Sequence, residues 1–247
     1  MFVFGALRYS VSRLLKRGLA VTPVSMRTLR LFVLALVLHP GLASAAEARD
    51  EPCWTQHRAT VHEWRCANQH LPVQGQEFAL SIVVIDGKNS VLVLDSGATA
   101  AVGAAAFAAV KQRFPGKSIW ILNSQPKPEH VLGNAGFKGV PESRMIAGQL
   151  TAQLMKSRCS NCIERFAARM GEGAVAGTQA FIPTHILNPS KGQLRLSHGD
   201  FSAWHYSLEK SVETEEALVL HNSPLKLHWV GSLVQNRDVP DLADGNI

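Results

Sequence analysis

The chain has 247 residues, enough for one large or two small domains, and 46% of them are hydrophobic against 18% charged. Its 25 basic and 19 acidic residues suggest a cationic protein, but residues 1–45 hold six of the basic ones and no acidic one, so the remainder stands at 19 against 19. Nothing in that balance argues for nucleic acid, which would need a basic face.

The basic excess belongs to a leader. Met26-Arg27-Thr28-Leu29-Arg30 forms a basic n-region, Leu31 to Leu38 an apolar core, and Ala43-Ser44-Ala45 a small-residue cleavage site. The apolar run before His39-Pro40 is too short to span a bilayer. The expectation is an exported protein, periplasmic or secreted, with residues 1–45 as leader, the true start at Met26, and no stable membrane anchor after cleavage. Export gives the four cysteines meaning, because an even count in an oxidising compartment favours disulfides. Proximity pairs Cys53 with Cys66 and Cys159 with Cys162. The second pair, Cys159-Ser160-Asn161-Cys162, also has the spacing of a redox pair or of half a zinc site. Those readings need a helix start in a thioredoxin-like unit or a second cysteine pair nearby, and neither context is evident.

Residues 46–73 read as a disulfide-closed, polar N-terminal segment. Its His57, His62 and His70 are irregularly spaced, which favours exposed or partly packed rings over a metal site. Gln76 to Ile85 and Ser90 to Leu94 are β-rich runs split by Asp86-Gly87-Lys88-Asn89, a hairpin signal. Thr99 caps an alanine-rich helix that ends before Pro115-Gly116. Ser118 to Leu122 is the next strand, Val131 to Phe137 opens a short helix, and Arg144 to Ala147 is a brief strand. A long helix runs from Gln149 to Met170. Short strands follow at Gln179 to Ile182, Gln193 to Leu196, Ala203 to Leu208, Ala217 to His221 and Leu225 to Val230. This order predicts two sheet layers covered by helices, with residues 74–247 as one domain.

Val93-Leu94-Asp95-Ser96-Gly97 admits two readings. An aspartic protease places its catalytic carboxylate in such a turn, but its carboxylates work in pairs. This chain has no second turn of the kind, and a long alanine-rich helix follows the first. The other reading joins the turn to Ser124-Gln125-Pro126-Lys127-Pro128-Glu129-His130-Val131-Leu132-Gly133-Asn134. That stretch resembles the metal loop of the metallo-β-lactamase superfamily, Thr-His-x-His-x-Asp-His-x-x-Gly-Asn. Leu227-His228-Trp229-Val230-Gly231-Ser232-Leu233-Val234 resembles the family's later strand into Gly-Asp-Leu-Val. Arg158 to Cys162 and the tail from Gln235 to Gly245 resemble an exported branch, the quinoprotein relay system zinc metallohydrolases.

The resemblance implies an α/β (α+β) fold, an αββα sandwich whose C-terminal helix is missing here, with a zinc site at one edge between the sheets. Such a site generates hydroxide at neutral pH. Matched slot by slot, only His130 keeps a family ligand. Gln125 and Lys127 stand in the first two His slots, Glu129 in the Asp slot, Glu213 in a later His slot and Ser232 in the bridging Asp slot, while Asp95 would support from behind. Gln and Ser are poor zinc ligands. A lysine is worse, since two charges about 4 Å apart at an effective dielectric of about 20 interact by roughly 4 kcal/mol. Lys127 could instead stand in for the metal, holding Glu129 and Glu213.

The expected function is therefore an exported metallo-β-lactamase-fold protein, catalytically inactive and without a cofactor. It would act as an accessory or binding protein, for a small molecule or a periplasmic protein, near quinoprotein systems. The alternatives are a zinc hydrolase with a non-standard ligand set, a truncated non-functional copy, and an aspartic-protease-like protein. His185, His198, His205, His221 and His228 are scattered over the strand-rich half and read as surface groups rather than as a site with His130.

Overall fold

The structure is a computed structural model that describes residues 53–65, 70–73, 76–79, 81–188, 190–210 and 214–233. The expected leader, Cys66 and Glu213 lie outside those residues. Asp50–Ile247 forms one compact unit. Among the described residues, no helix is long and apolar enough to cross a membrane.

The first sheet is organised around β6 (Ser90–Leu94), all five of whose residues are buried. A strand with both faces covered needs no polar alternation, hence the unbroken Val91-Leu92-Val93-Leu94. Antiparallel to it lies β5 (Ile82–Asp86), with Val83 opposite Leu94 and Asp86 opposite Val91, as the Asp-Gly signal predicted. On its other side run three parallel strands, β7 (Ser118–Asn123), β8 (Met145–Gly148) and β9 (His185–Leu187). Beyond β5 the sheet continues through β2 (Val61–Trp64) to β1 (Trp54–Arg58), an antiparallel hairpin in the segment expected to be a loop. His62 is buried there with its ring 5.2 Å from that of Phe114, so it packs as an aromatic. The run Gln76 to Ile85 is divided: β4 (Gln76–Ala79) pairs with β3 (His70–Val73) in a separate two-stranded sheet.

The second sheet holds β10 (Lys191–Gln193), β11 (His205–Glu209), β12 (Ala217–Asn222) and β13 (Leu227–Trp229), all antiparallel. Leu194, Tyr206, Leu218 and Leu220 meet Ile85, Leu92, Leu94, Leu122 and Ile146 of the first sheet in one core between the layers. Asp200 ties the layers at one end by accepting from the Asn89 N–H at 2.7 Å and the Ser90 hydroxyl at 2.7 Å.

Helix α1 (Ala100–Arg113) covers the outer face of the first sheet, packing Ala106, Ala109 and Val110 on Val84, Val91, Val93 and Ile121. Thr99 caps it, its hydroxyl accepting the Val102 N–H at 3.3 Å. Helix α3 (Gln149–Met170) begins against a carboxylate, since Glu216 accepts the Thr151 N–H at 2.9 Å. An anion there satisfies one of the open N–H groups and complements the helix dipole. The arrangement is the mixed α/β sandwich expected from the sequence, with helices flanking the sheets.

Two further features correct the sequence expectation. The strand placed at Gln179 to Ile182 forms instead at His185–Leu187, beyond Pro183, where it pairs with β8. The bond expected between Cys159 and Cys162 is absent, both being buried free thiols inside α3. Side chains three apart on a helix stand about 5–6 Å apart at Cβ. A disulfide needs about 3.5–4.5 Å, so closing it would distort the helix. Cys159 instead belongs to the apolar contact between α3 and the segment around Val131 and Leu132, and burial pushes its thiol up to about 12. Cys53 is disulfide-bonded.

Candidate functional site: a histidine held from both sides

The site lies where β6 and β7 end. Asp95 follows β6 directly and takes a left-handed conformation, φ 61°, which an aspartate tolerates better than most residues. Its N–H donates to the Leu122 carbonyl at 2.8 Å, so the chain leaves the sheet with its carboxylate turned toward the end of β7. There Asp95 Oδ1 accepts the Ser124 N–H at 2.8 Å, and Oδ2 accepts the Ser124 hydroxyl at 2.8 Å. His130 Nδ1 lies 2.7 Å from the same Oδ2.

His130 comes from the short helix α2 (Pro128–Val131), whose Pro128 suits a first helical turn because its missing N–H would be unpaired anyway. The His130 carbonyl is bound by the Ser96 N–H at 2.8 Å and the Ser96 hydroxyl at 3.2 Å. After α2 the chain passes so close to its neighbours that only glycine fits. A Cβ on Gly133 would stand 1.9 Å from the Ser96 carbonyl oxygen, and one on Gly103 of α1 would stand 1.9 Å from the Gly133 oxygen. Asn134 then exchanges amide hydrogen bonds with Asn123, at 2.8 and 3.2 Å. The Gly133-Asn134 pair thus locks α2 against β7 and α1.

The second ring nitrogen of His130 is also engaged. Its Nε2 lies 2.7 Å from Gln125 Nε2. With the Gln125 amide placed nitrogen-first, Nε2 accepts there and the ring proton is assigned to Nδ1, facing Asp95. Burial disfavours the imidazolium most strongly, with Lys127 adding to that. The Asp95 charge and hydrogen bond, helped by Glu129, outweigh both and raise the His130 pKa above its ordinary value. On protonation the Gln125 amide must turn over to offer its oxygen.

The structure thus brings Asp95, Ser124, Gln125, Lys127, Glu129 and His130 together. Gln125 and Lys127 are buried and Glu129 is half-buried. The Ser124 carbonyl accepts the Leu218 N–H at 2.8 Å, bringing the second sheet to the same edge. The Gly231–Leu233 turn reaches it too, a Cβ on Gly231 standing 3.6 Å from Ser124 Oγ. Ser232 lies in that turn. None of the other five scattered histidines joins His130 in these contacts.

A metal-bound histidine ordinarily donates its far N–H to a carboxylate and offers the near nitrogen to the ion. Asp95 and His130 have that support, but the nitrogen offered faces an amide. The residues around it do not fit zinc: Gln125 blocks Nε2, and a buried lysine stands in the same loop. Among the described residues, no three His, Cys, Asp or Glu side chains gather as a metal's ligands. Away from this edge, a cavity of about 380 Å³ opens between the sheets, walled by Val83, Ile85, Leu94, Trp204 and Trp229, with Arg58 among its polar lining.

No protein-family model matches the chain, and no curated protein matches it significantly. Solved structures do. A metallo-β-lactamase from Hirschia baltica is similar with a TM-score of 0.58 and 13% identity, over 78% of each chain. The metallo-β-lactamase from Pontibacter korlensis gives 0.54 at 14% identity, also over 78% of each chain. VMB-1 gives 0.57 at 12% identity, over 78% of this chain and 76% of its own. The chain has the metallo-β-lactamase fold.

Proposed function

We propose that this protein is an exported, non-catalytic member of the metallo-β-lactamase superfamily, acting as a binding or accessory protein. One observation carries the reading: the Gln125 amide occupies His130 Nε2 at 2.7 Å, while Asp95 holds Nδ1. A nitrogen engaged in this way is not open to a metal, and Lys127 makes the surroundings hostile to a dication. The inter-sheet cavity supports a binding role, since apolar walls with His57, Arg58, Glu63 and His228 also in the lining suit a small ligand with both apolar and polar parts. The likeness of Arg158 to Cys162 and of the tail to quinoprotein relay proteins suggests a setting beside periplasmic quinoprotein systems.

A second reading, a zinc hydrolase with an altered ligand set, draws on the Asp95–His130 pair, which retains the support a metal ligand would use. Metal analysis of the full chain as processed by its host, after dialysis, separates the two. The proposal expects no zinc that depends on His130. One zinc per chain, lost on His130→Gln, would restore the hydrolase.

A further inference from the structure

We propose a surface site for a late first-row transition-metal dication, such as Cu(II) or Zn(II), on the ladder His205–His221–His228. The ion is held by two histidines at a time, His221 with either His205 or His228, since among the described residues no three side chains gather around one point there. It is independent of the loop around His130. The register places His205 of β11 opposite His221 of β12, and His221 opposite His228 of β13. Directly opposed residues on neighbouring strands share a face, with Cβ atoms about 4.5–5.5 Å apart. Tyr206 and Leu220, which alternate with these histidines, point into the core, so the histidines point outward. The rings lie nearly parallel. Their centroids are 5.2 Å apart at 17° for His205 and His221, and 5.9 Å apart at 22° for His221 and His228.

Their nitrogens set these rings apart from those of His130 and His57. Both nitrogens of His130 are engaged, and His57 is bonded to Glu63 at 2.8 Å. Among the described residues, none of the three ladder rings has a hydrogen-bond or ion-pair partner. His205 and His228 are exposed and His221 half-exposed, so little restrains their rotation. Parallel rings do not converge on one point, but rotation about the side-chain torsions lets adjacent rings turn a nitrogen each toward a common ion. His221 can pair with either neighbour and is the common member. Imidazole is a preferred ligand of Zn, Cu and Ni, with affinity rising toward Cu(II). The rest of the row is Gln193, opposite His205, with no carboxylate, so the site selects borderline nitrogen-seeking ions over calcium or magnesium.

The test is calorimetric titration of the full chain with Cu(II) and separately with Zn(II), with electron paramagnetic resonance of the Cu(II) sample to detect nitrogen coupling. Variants are His221→Thr, which keeps a strand-forming residue, His205→Thr with His228→Thr, and His130→Gln. The expected result is one Cu(II) per chain with nitrogen coupling, weaker Zn(II), at least about tenfold weaker binding in both ladder variants, and no change in His130→Gln. Absence of binding up to about 1 mM metal overturns the site, as does binding that His221→Thr leaves intact. Binding abolished by His130→Gln alone would move the ion to the loop. That outcome would also sink the non-catalytic reading, whereas failure of the ladder alone would leave it standing.

Discussion

The loop around His130 and the ladder on the second sheet both gather polar residues on a β framework, yet they are built on opposite principles. In the loop, burial forces the polar groups into partnership, because an unpaired buried donor or acceptor costs about 1–3 kcal/mol. Asp95 receives three donors, His130 is bound at both nitrogens, and Asn123 and Asn134 pair with each other. In the ladder, solvent exposure removes that demand, and the rings stack without polar partners. A side chain satisfied from within its own chain has little left for a ligand. The residues that look most like a functional site by position are thus the least available, and the ladder is the more open of the two.

Substitutions at the loop should be costly and those at the ladder cheap. The largest effect is expected at Gly103→Ala, where a methyl would meet the Gly133 backbone at 1.9 Å. Chemical denaturation should show a loss of about 3 kcal/mol or more, or no folded protein. Asp95→Ala comes next, stripping partners from the Ser124 N–H, the Ser124 hydroxyl and His130 at once. About 3 kcal/mol should be lost in the same assay, and a loss below about 0.5 kcal/mol would contradict the buried network. Lys127→Met should destabilise by about 2 kcal/mol if its charge holds this loop together. Because Lys127 opposes the His130 imidazolium, the same change should raise the His130 pKa further, read by NMR titration of the ring. Unchanged stability would rule out the lysine as a stand-in for a metal.

Protonation gives a finer contrast. The folded-state pKa of His130 is raised. Its contribution to stability is therefore present in full below the unfolded value of about 6.5 and is lost as pH rises through the folded value. The stability difference between the wild type and His130→Gln should shrink across that interval, and a difference that grew with pH would reverse the sign of the argument. His205→Thr with His228→Thr should shift stability by no more than about 0.5 kcal/mol while weakening metal binding.

How much of this was legible in the sequence depended on what carried the signal. Val91 to Leu94 announced a strand buried on both faces, and Thr99 with Pro115-Gly116 bounded α1, because these are local properties of the chain. The hairpin from Trp54 to Trp64 was hidden by its composition. His62 read as an exposed or partly packed ring of a polar segment, although it is buried against Phe114. The strand at His185–Leu187 depended on the open edge of β8, which nothing in residues 179–187 encodes. Asp95 and His130 are 35 residues apart and could be joined only through resemblance to a known loop. That resemblance assigned Gln125 to a ligand slot without showing that its amide would rest on His130. The ladder had no sequence signal, since it exists only in the register of three strands.

The most direct test of the central claim is zinc analysis of the His205→Thr, His221→Thr, His228→Thr variant, which removes the surface ladder and leaves the loop alone. Zinc is titrated into this variant while the His130 ring nitrogens are followed by NMR. The account predicts that no stoichiometric zinc is retained and that the Nδ1-protonated ring signals do not move. One zinc per chain with a shifted His130 Nε2 would mean that the amide yields to a metal, and that the loop is a working zinc centre.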